Sequence, residues 1–535
     1  MIRSALRSLS RPLRQLFRRR EEREPPSHVF TPDEIGRLHR ALPSTRAALD
    51  DQTWRDLLLD TYQDKLAHEV SIFGRQELHC RLRAGLDDDA CAALRERLRA
   101  LVADPDRLDA LRTALRPLRH AEAETAGLLF EDAAPVIPWW PRFLWVLPLT
   151  LALSVPLLLT QPWGWLPAAG ALAPLLALQV RHHRRMEAWG ALLDSLNLLL
   201  AAAGTLGRLG GPMLESFASK RAAVARLHKR LAPSALGAML PGAQSYLDWF
   251  GASNLRRHFR TRRAVSDAQA LLRACFLACA GLEADVALAR HLDTLDHWCW
   301  AERTPARTLE LDQGMHPLMA APSALSVALD GRGAFISGQN ASGKSTLLRM
   351  VGINLVAAHA FGFCYAKQAR LPAVPVRASM QNEDSLLGGE SLYMSELRRA
   401  HDLVDAAGAP AGICLIDEIF RGTNHLESVS AAAAVLEQLA ARDLVLVSSH
   451  NLVLAPLLEA QLAPFCIDTS SGAPVLAPGV LRAPNGIALL ATQGFGAQIE
   501  ARAAEVAQCL SSHLTAPLPV VAAKAETTGE RFDLV

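Results

Sequence analysis

The sequence predicts two architectures in one chain: an all-helical region interrupted by a pair of uncharged segments, then an α/β domain on a parallel sheet. Three observations carry this. From Pro32 to about Arg303, apolar residues recur at helical spacing. Within that region two long stretches carry no charge at all. From Ala334 onward, three short apolar runs (Ala334–Ile336, Ile413–Ile416 and Leu444–Val447) alternate with helical segments.

The chain of 535 residues is too long for one ordinary hydrophobic core. Apolar residues make up 50% and charged residues 21%, with a mean hydropathy of +0.12, so apolar sequence is locally concentrated. A net charge of +2 excludes nucleic-acid binding by bulk charge, which leaves only a local basic patch or an encircling clamp. Nine cysteines without a CxxC pair point to reduced, mostly buried thiols in a cytoplasmic compartment.

In chain order, residues 1–31 are a basic tail and linker. Within Met1–Arg20, seven arginines lie among Ile2, Leu6, Leu9, Leu13, Leu16 and Phe17, a pattern suited to an anionic membrane surface, to nucleic acid or to a solvated tail. Residues 32–130 read as an N-terminal helical domain. Asp50 and Asp51 mark the turn before one of its helices, and Pro105 divides two others. Residues 138–185 read as a transmembrane hairpin. Phe143–Thr160 and Trp163–Val180 are each eighteen residues without a charge. At 1.5 Å per residue each spans about 27 Å, close to the roughly 30 Å of a bilayer core. Trp139, Trp140, Trp145, Trp163 and Trp165 stand near the interfaces. Arg142 and the run Arg181–Arg185 place both ends on the cytoplasmic side, as at a bacterial inner membrane. Residues 186–303 are again helical, with a break expected at Gly204–Gly211. The basic runs "ASKRAAVARLHKRLAP" and "NLRRHFRTRRAV" face DNA, lipid headgroups or solvent.

The α/β domain spans 304–510, and a tail follows at 511–535. Gly338–Ser345 satisfies the P-loop pattern after a strand and before a helix. Its glycines let the backbone wrap a phosphate, and the helix start adds oriented N–H groups. Gly338, Asn340, Ser342, Gly343, Lys344, Ser345 and Thr346 form the expected ATP-binding set. Lys344 is expected on the β/γ phosphates, Thr346 on the α-phosphate, and Ser345 on Mg²⁺. The second apolar run ends in Asp417 and Glu418, which a parallel sheet sets at its carboxyl edge. Asp417 then holds Mg²⁺ through water, while Glu418 acts as base on the attacking water. The third run ends in Ser448, Ser449 and His450, where His450 can sense the γ-phosphate or hold that water.

These motifs together resemble the ATPase domain of the MutS family of DNA mismatch repair proteins. The resemblance rests on "GQNASGKST" at Gly338–Thr346, "GESLYMSEL" at Gly389–Leu397, "DEIFRGTN" at Asp417–Asn424, "SSH" ending at His450 and "GMHPLM" at Gly314–Met319. It implies an ABC/MutS-like P-loop NTPase fold with helical core and lever segments before it. It also implies a homodimer through the ATPase domain, with Ser391 contacting the partner's nucleotide in trans, and ATP-gated clamping of DNA. The chain departs from the family pattern at Gln339 and Phe420, where proline and glycine are usual. No amino-terminal Phe-x-Glu mismatch-reading element is evident, and an apparent membrane hairpin stands in mid-chain. Two functions follow: an ATP-gated dimeric DNA clamp related to mismatch repair, or a membrane-anchored, nucleotide-switched interaction protein without mismatch recognition.

Overall fold

The computed structural model describes residues 29–42, 49–131, 138–232, 248–339, 342–380, 392–405, 410–421, 423–469, 474–481 and 494–514. The arginine-rich tail, the P-loop Asn340, Ser391 and most of the carboxyl tail therefore lie outside the described residues.

The amino-terminal helices are α1 (Pro32–Ala41), α2 (Asp51–Asp56), α3 (Leu59–Leu66), α4 (Ile72–Ala84), α5 (Asp88–Ala103), α6 (Pro105–Leu115) and α7 (Ala126–Phe130). Local chemistry sets their ends. Thr31 and Glu34 form a capping box on α1, and the Asp50 side chain accepts from Thr53 N at the start of α2. Asp104 caps α6 with Pro105 in its first turn, which ends α5 there.

Next come α8 (Val146–Thr160), α9 (Trp165–Leu209), α10 (Glu215–Leu231), α11 (Ser253–Asp267) and α12 (Gln269–Asp293). α8 and α9 pack as a hairpin, and two helices here are long and apolar enough to cross a membrane. Only 11% of the most apolar window around α8 is buried, against 50% for α9. Leu149, Leu153, Val155, Leu159, Trp163 and Val180 are left uncovered. The hydroxyls of Thr150, Ser154 and Thr160 donate back to carbonyls of their own helix, which is how such groups are satisfied in lipid.

α9 differs from the sequence expectation. It runs unbroken for 45 residues, about 68 Å, through the charge-based boundary at 185 and 186. The break expected from Gly204 onward is delayed to Gly210, where φ is 65°. Gly204 and Gly207 are helical. A Cβ on Gly207 would stand 3.0 Å from Phe217 O, so this glycine serves close packing of α10 against α9. The helix is thus a rod whose first half is apolar and exposed while its second half is built into the core.

α12 is the centre of the helical part and packs on α4, α5, α6 and α9. A single apolar core runs from Leu38 through these helices into the sheet at Ile467. Two carboxylates on α12 tie it to the amino-terminal helices. Glu283 accepts from Ser71 N at 3.0 Å, Gly74 N at 3.1 Å and the Ser71 hydroxyl, closing the start of α4. Asp285 pairs with Arg81 and Arg97, each at 2.7 Å, and both Arg81 and Asp285 are buried. Replacing Asp285 with alanine should cost about 3–5 kcal/mol, because Arg81 is left buried with only Glu77 to offset it. Thermal scans of the detergent-solubilised protein should show clearly earlier unfolding. An unchanged midpoint would remove this pair from the stabilising set.

The sheet-bearing part holds strands β1 (Cys299–Trp300), β2 (Glu302–Thr304), β3 (Thr308–Gly314), β4 (Leu325–Asp330), β5 (Gly333–Gly338), β6 (Phe363–Cys364), β7 (Gln368–Pro372), β8 (Val376–Ser379), β9 (Ile413–Asp417), β10 (Leu444–Ser448), β11 (Leu462–Asp468) and β12 (Val475–Pro478). Its helices are α13 (Lys344–Phe361), α14 (Leu392–Asp405), α15 (His425–Arg442), the short α16 (Leu454–Leu457) and α17 (Ala497–Leu514). The main sheet has the order β12-β11-β5-β10-β9-β8. It is parallel except for β12. β2, β7, β3 and β4 form a second sheet, and β1 pairs with β6. β5, β9 and β10 are buried along their lengths, which is why each reads as a continuous apolar run.

The helical part also covers the open edge of the main sheet. On β8 and just after it, Ala378 N donates to Thr53 Oγ1 and Met380 N to Asp56 Oδ2, both at 2.9 Å. Arg399 of α14 donates to the Ala378 carbonyl and to Thr53 Oγ1, and pairs with Asp50 at 3.3 Å. α2 therefore serves as a polar edge cover that joins β8 to α14.

Candidate nucleotide site

The strand β5 delivers its last residue, Gly338, to a loop that turns into α13 at Lys344. Gly343 takes φ 93°, a conformation that a side chain would strain. Ser345 and Thr346 follow in the first turn of α13, whose unpaired N–H groups face the loop end. The buried Lys344 folds back over the loop, its Nζ donating to the carbonyls of Gly338 and Gln339 at 3.2 Å each. Burial pulls its pKa down, while Glu418 and Asp417 act in the opposite sense. The lysine's loop and both carboxylates thus stand at the same end of adjacent strands.

Asp417 ends β9, directly beside Ser448 at the end of β10, and the Ser448 hydroxyl donates to its carboxylate. The chain then turns sharply. Glu418 has φ 59°, and its N–H donates to Ser448 O at 2.9 Å. Its Oε1 lies 3.0 Å from His450 Nε2, and its other oxygen lies 3.7 Å from Arg421 Nε. Glu418 is partly buried and His450 is half exposed, so the pair lies near the surface. The P-loop lysine, both carboxylates and His450 are therefore brought together by three adjacent strands, β5, β10 and β9.

The residues present suit a magnesium nucleotide. Among the described residues, the Ser342 hydroxyl oxygen is buried with no hydrogen-bond partner, and the Lys344 ammonium bonds backbone carbonyls. Both groups can donate to an anion. A serine hydroxyl and one carboxylate are oxygen donors of the kind that a hard cation takes while keeping several waters.

The contacts of three residues escaped the sequence reading. Arg421 stands between Glu418 and the buried Glu396 of α14, 3.4 Å from the latter. Its place three residues after Glu418 was the available signal. Ser448 was visible as a strand end, but its bond to Asp417 was not. Phe420 fills the position where the resemblance expects glycine. It keeps the left-handed backbone, φ 57°, and is fully buried against Tyr393 of α14. The aromatic ring anchors α14 to the acidic turn and so offsets the strain. Cys414 is core, its Sγ near the Asp443 carboxylate, and Asp443 binds Gly412 N at the strand start.

A family model described as MutS domain V matches residues 334–469. DNA mismatch repair protein MutS 1 of Halobacterium salinarum is 29% identical over 184 residues, 33% of this chain and 21% of that protein. The chain thus spans about a fifth of the length of the curated relative it matches. The matched segment holds β5, α13, β9 and β10, together with every cleft residue named above. Residues 334–469 of this chain are similar to MutS domain V, the ATPase domain, and the mismatch-reading parts of MutS lie outside that similarity.

Proposed function

We propose that this protein is a membrane-anchored ATPase in which bound nucleotide switches the assembly of two copies, without mismatch recognition. The observation that carries the reading is the convergence of Lys344, Asp417, Glu418 and His450 in one cleft of a chain whose paired apolar helices are left uncovered. The similarity to MutS domain V supports ATP and Mg²⁺ as the ligand. The extent of that similarity favours an interaction protein over a complete mismatch repair clamp.

When bound, MgATP supplies the phosphoanhydride bond and the charge that the cleft is built to meet. Gly338, Asn340, Ser342, Gly343 and Thr346 wrap the phosphates, and Lys344 moves from the loop carbonyls onto the β/γ oxygens. Ser345 and Asp417 would hold the metal, Asp417 through water, and Ser448 fixes the Asp417 carboxylate. Glu418 takes a proton from the attacking water, and His450 orients that water or reads the γ-phosphate. Ser391 of a second copy completes the site in trans. α14 and α2 then carry closure from the cleft to the helical part, and α9 carries it toward the membrane.

The test is the mass of the detergent-solubilised protein by light scattering. ATP with Mg²⁺ should convert monomer to dimer, ADP should not, and a short DNA duplex should leave turnover unchanged. Strong stimulation by duplex would replace this reading with the DNA clamp. A mass indifferent to nucleotide would remove the switch.

A further inference from the structure

At the foot of the helix pair lies a cavity of about 480 Å³ between the chain entering α8, the middle of α9 and the side of α11. Arg181 and Arg185 of α9 and Arg262 of α11 line it, together with His182, Trp140 and Phe259. Among the described residues, no acidic side chain lines it. A wider cavity of about 1370 Å³ shares Pro138 and Phe259 with it and is lined by further α11 arginines, with Asp194, Asp248 and Asp267 as its acids.

The polar atoms here lack partners. His182 is 8% exposed, and its Nδ1 is buried without a hydrogen bond. His258, 5% exposed, has neither ring nitrogen satisfied. Arg257 Nε and Arg262 Nε are buried and unpaired as well. Of these five nitrogens, His182 Nδ1 and Arg262 Nε belong to residues lining the smaller cavity and the other three to residues lining the wider one; buried polar groups are ordinarily bonded. Burial and the neighbouring Arg185 also pull the Arg262 guanidinium below its ordinary value, so like charges meet with no anion between them.

The surroundings identify the occupant. Trp140, His182 and Phe259 form an edge-to-face and tilted ring cluster with centroids 5.1–6.0 Å apart. Trp139, Phe143 and Trp145, in the chain entering α8, and Val180 of α9 are apolar and uncovered. Arg142 sits over the Trp139 and Phe143 rings, at 5.6 and 5.0 Å from their centroids. A ligand that fits must carry an anionic, hydrogen-bond-accepting head continuous with a long apolar body. We propose that this cavity is a binding site for the phosphate headgroup of an anionic phospholipid, held by Arg181, Arg185 and Arg262 with His182 as a further hydrogen-bonding partner. Nucleic acid offers the phosphate without the apolar body. The bound lipid fixes α11 against the foot of α9, the helix that continues into the core.

The inference rests on reading α8 and α9 as a membrane hairpin, and the experiment separates the two. The full chain is reconstituted into nanodiscs of phosphatidylcholine alone and of phosphatidylcholine with phosphatidylglycerol. Incorporation into the first kind tests the hairpin. Native mass spectrometry of protein released from the second kind counts the retained phosphatidylglycerol. The wild type should keep it selectively. Arg185→Gln with Arg262→Gln should incorporate equally well and lose about thirtyfold in preference, at about one unit of binding energy per cation. Arg185→Lys with Arg262→Lys should recover part of it. Equal retention by wild type and the glutamine variant overturns the site. Displacement of the lipid by a short DNA duplex overturns it in favour of nucleic acid.

Discussion

Replacing Lys344 with alanine should weaken MgATP binding by roughly thirtyfold to several thousandfold, the range for truncating one member of a buried, hydrogen-bonded charge pair at about 2–5 kcal/mol. The reason is where the ammonium lies. It is buried, it donates to the Gly338 and Gln339 carbonyls, and Glu418 and Asp417 act on it as opposing charges. Without the lysine, a triphosphate entering the cleft meets two carboxylates with one cation fewer to separate them. The folded chain loses little, because these bonds end on its own loop and no core contact depends on them. Calorimetric titration with a non-hydrolysable ATP analogue and Mg²⁺ reads the affinity, and an unchanged melting temperature confirms the fold. A loss under about tenfold would place the lysine off the phosphates.

How far the sequence disclosed this molecule depended on whether a feature is local. A buried parallel strand must be apolar throughout, so β5, β9 and β10 appeared as short apolar runs, each beside its polar terminal residues. The loop at Gly338–Lys344 was legible because phosphate geometry demands glycine at fixed offsets. The hairpin was legible because two stretches of eighteen residues without a charge are long and apolar enough to cross a bilayer. What stayed hidden depends on partners far along the chain. Thr53 and Asp56 look like ordinary residues of a capped helix, yet each accepts an N–H more than three hundred residues away. Asp285 and Glu283 look like charges on a helix face, but their partners lie some two hundred residues earlier. Gly204 and Gly207 were misleading for a related reason. Glycine in a helix reads as a stop until a neighbouring helix is seen to need the space.

Glu418→Gln should separate binding from turnover. Glutamine keeps the shape and the backbone turn but cannot accept a proton from water, so hydrolysis should fall by about 10²–10⁴-fold, the usual worth of a positioned general base. ATP affinity should stay within a few-fold, since Lys344, Ser345 and Asp417 are untouched. The ATP-loaded dimer should then persist under conditions where the wild type returns to monomer, as light scattering would show. The backbone gives the reason for choosing this carboxylate over its neighbour. Asp417 still belongs to β9 and is held by Ser448, which suits a fixed role at the metal. Glu418 is a non-glycine residue at φ 59°, a conformation costing about 1–3 kcal/mol that persists only where its surroundings enforce it. Here its N–H bond to Ser448 O enforces it, and the turn brings the carboxylate to His450 Nε2 at 3.0 Å. Turnover within tenfold of wild type would show that another group activates the water, and His450 would be the next to replace.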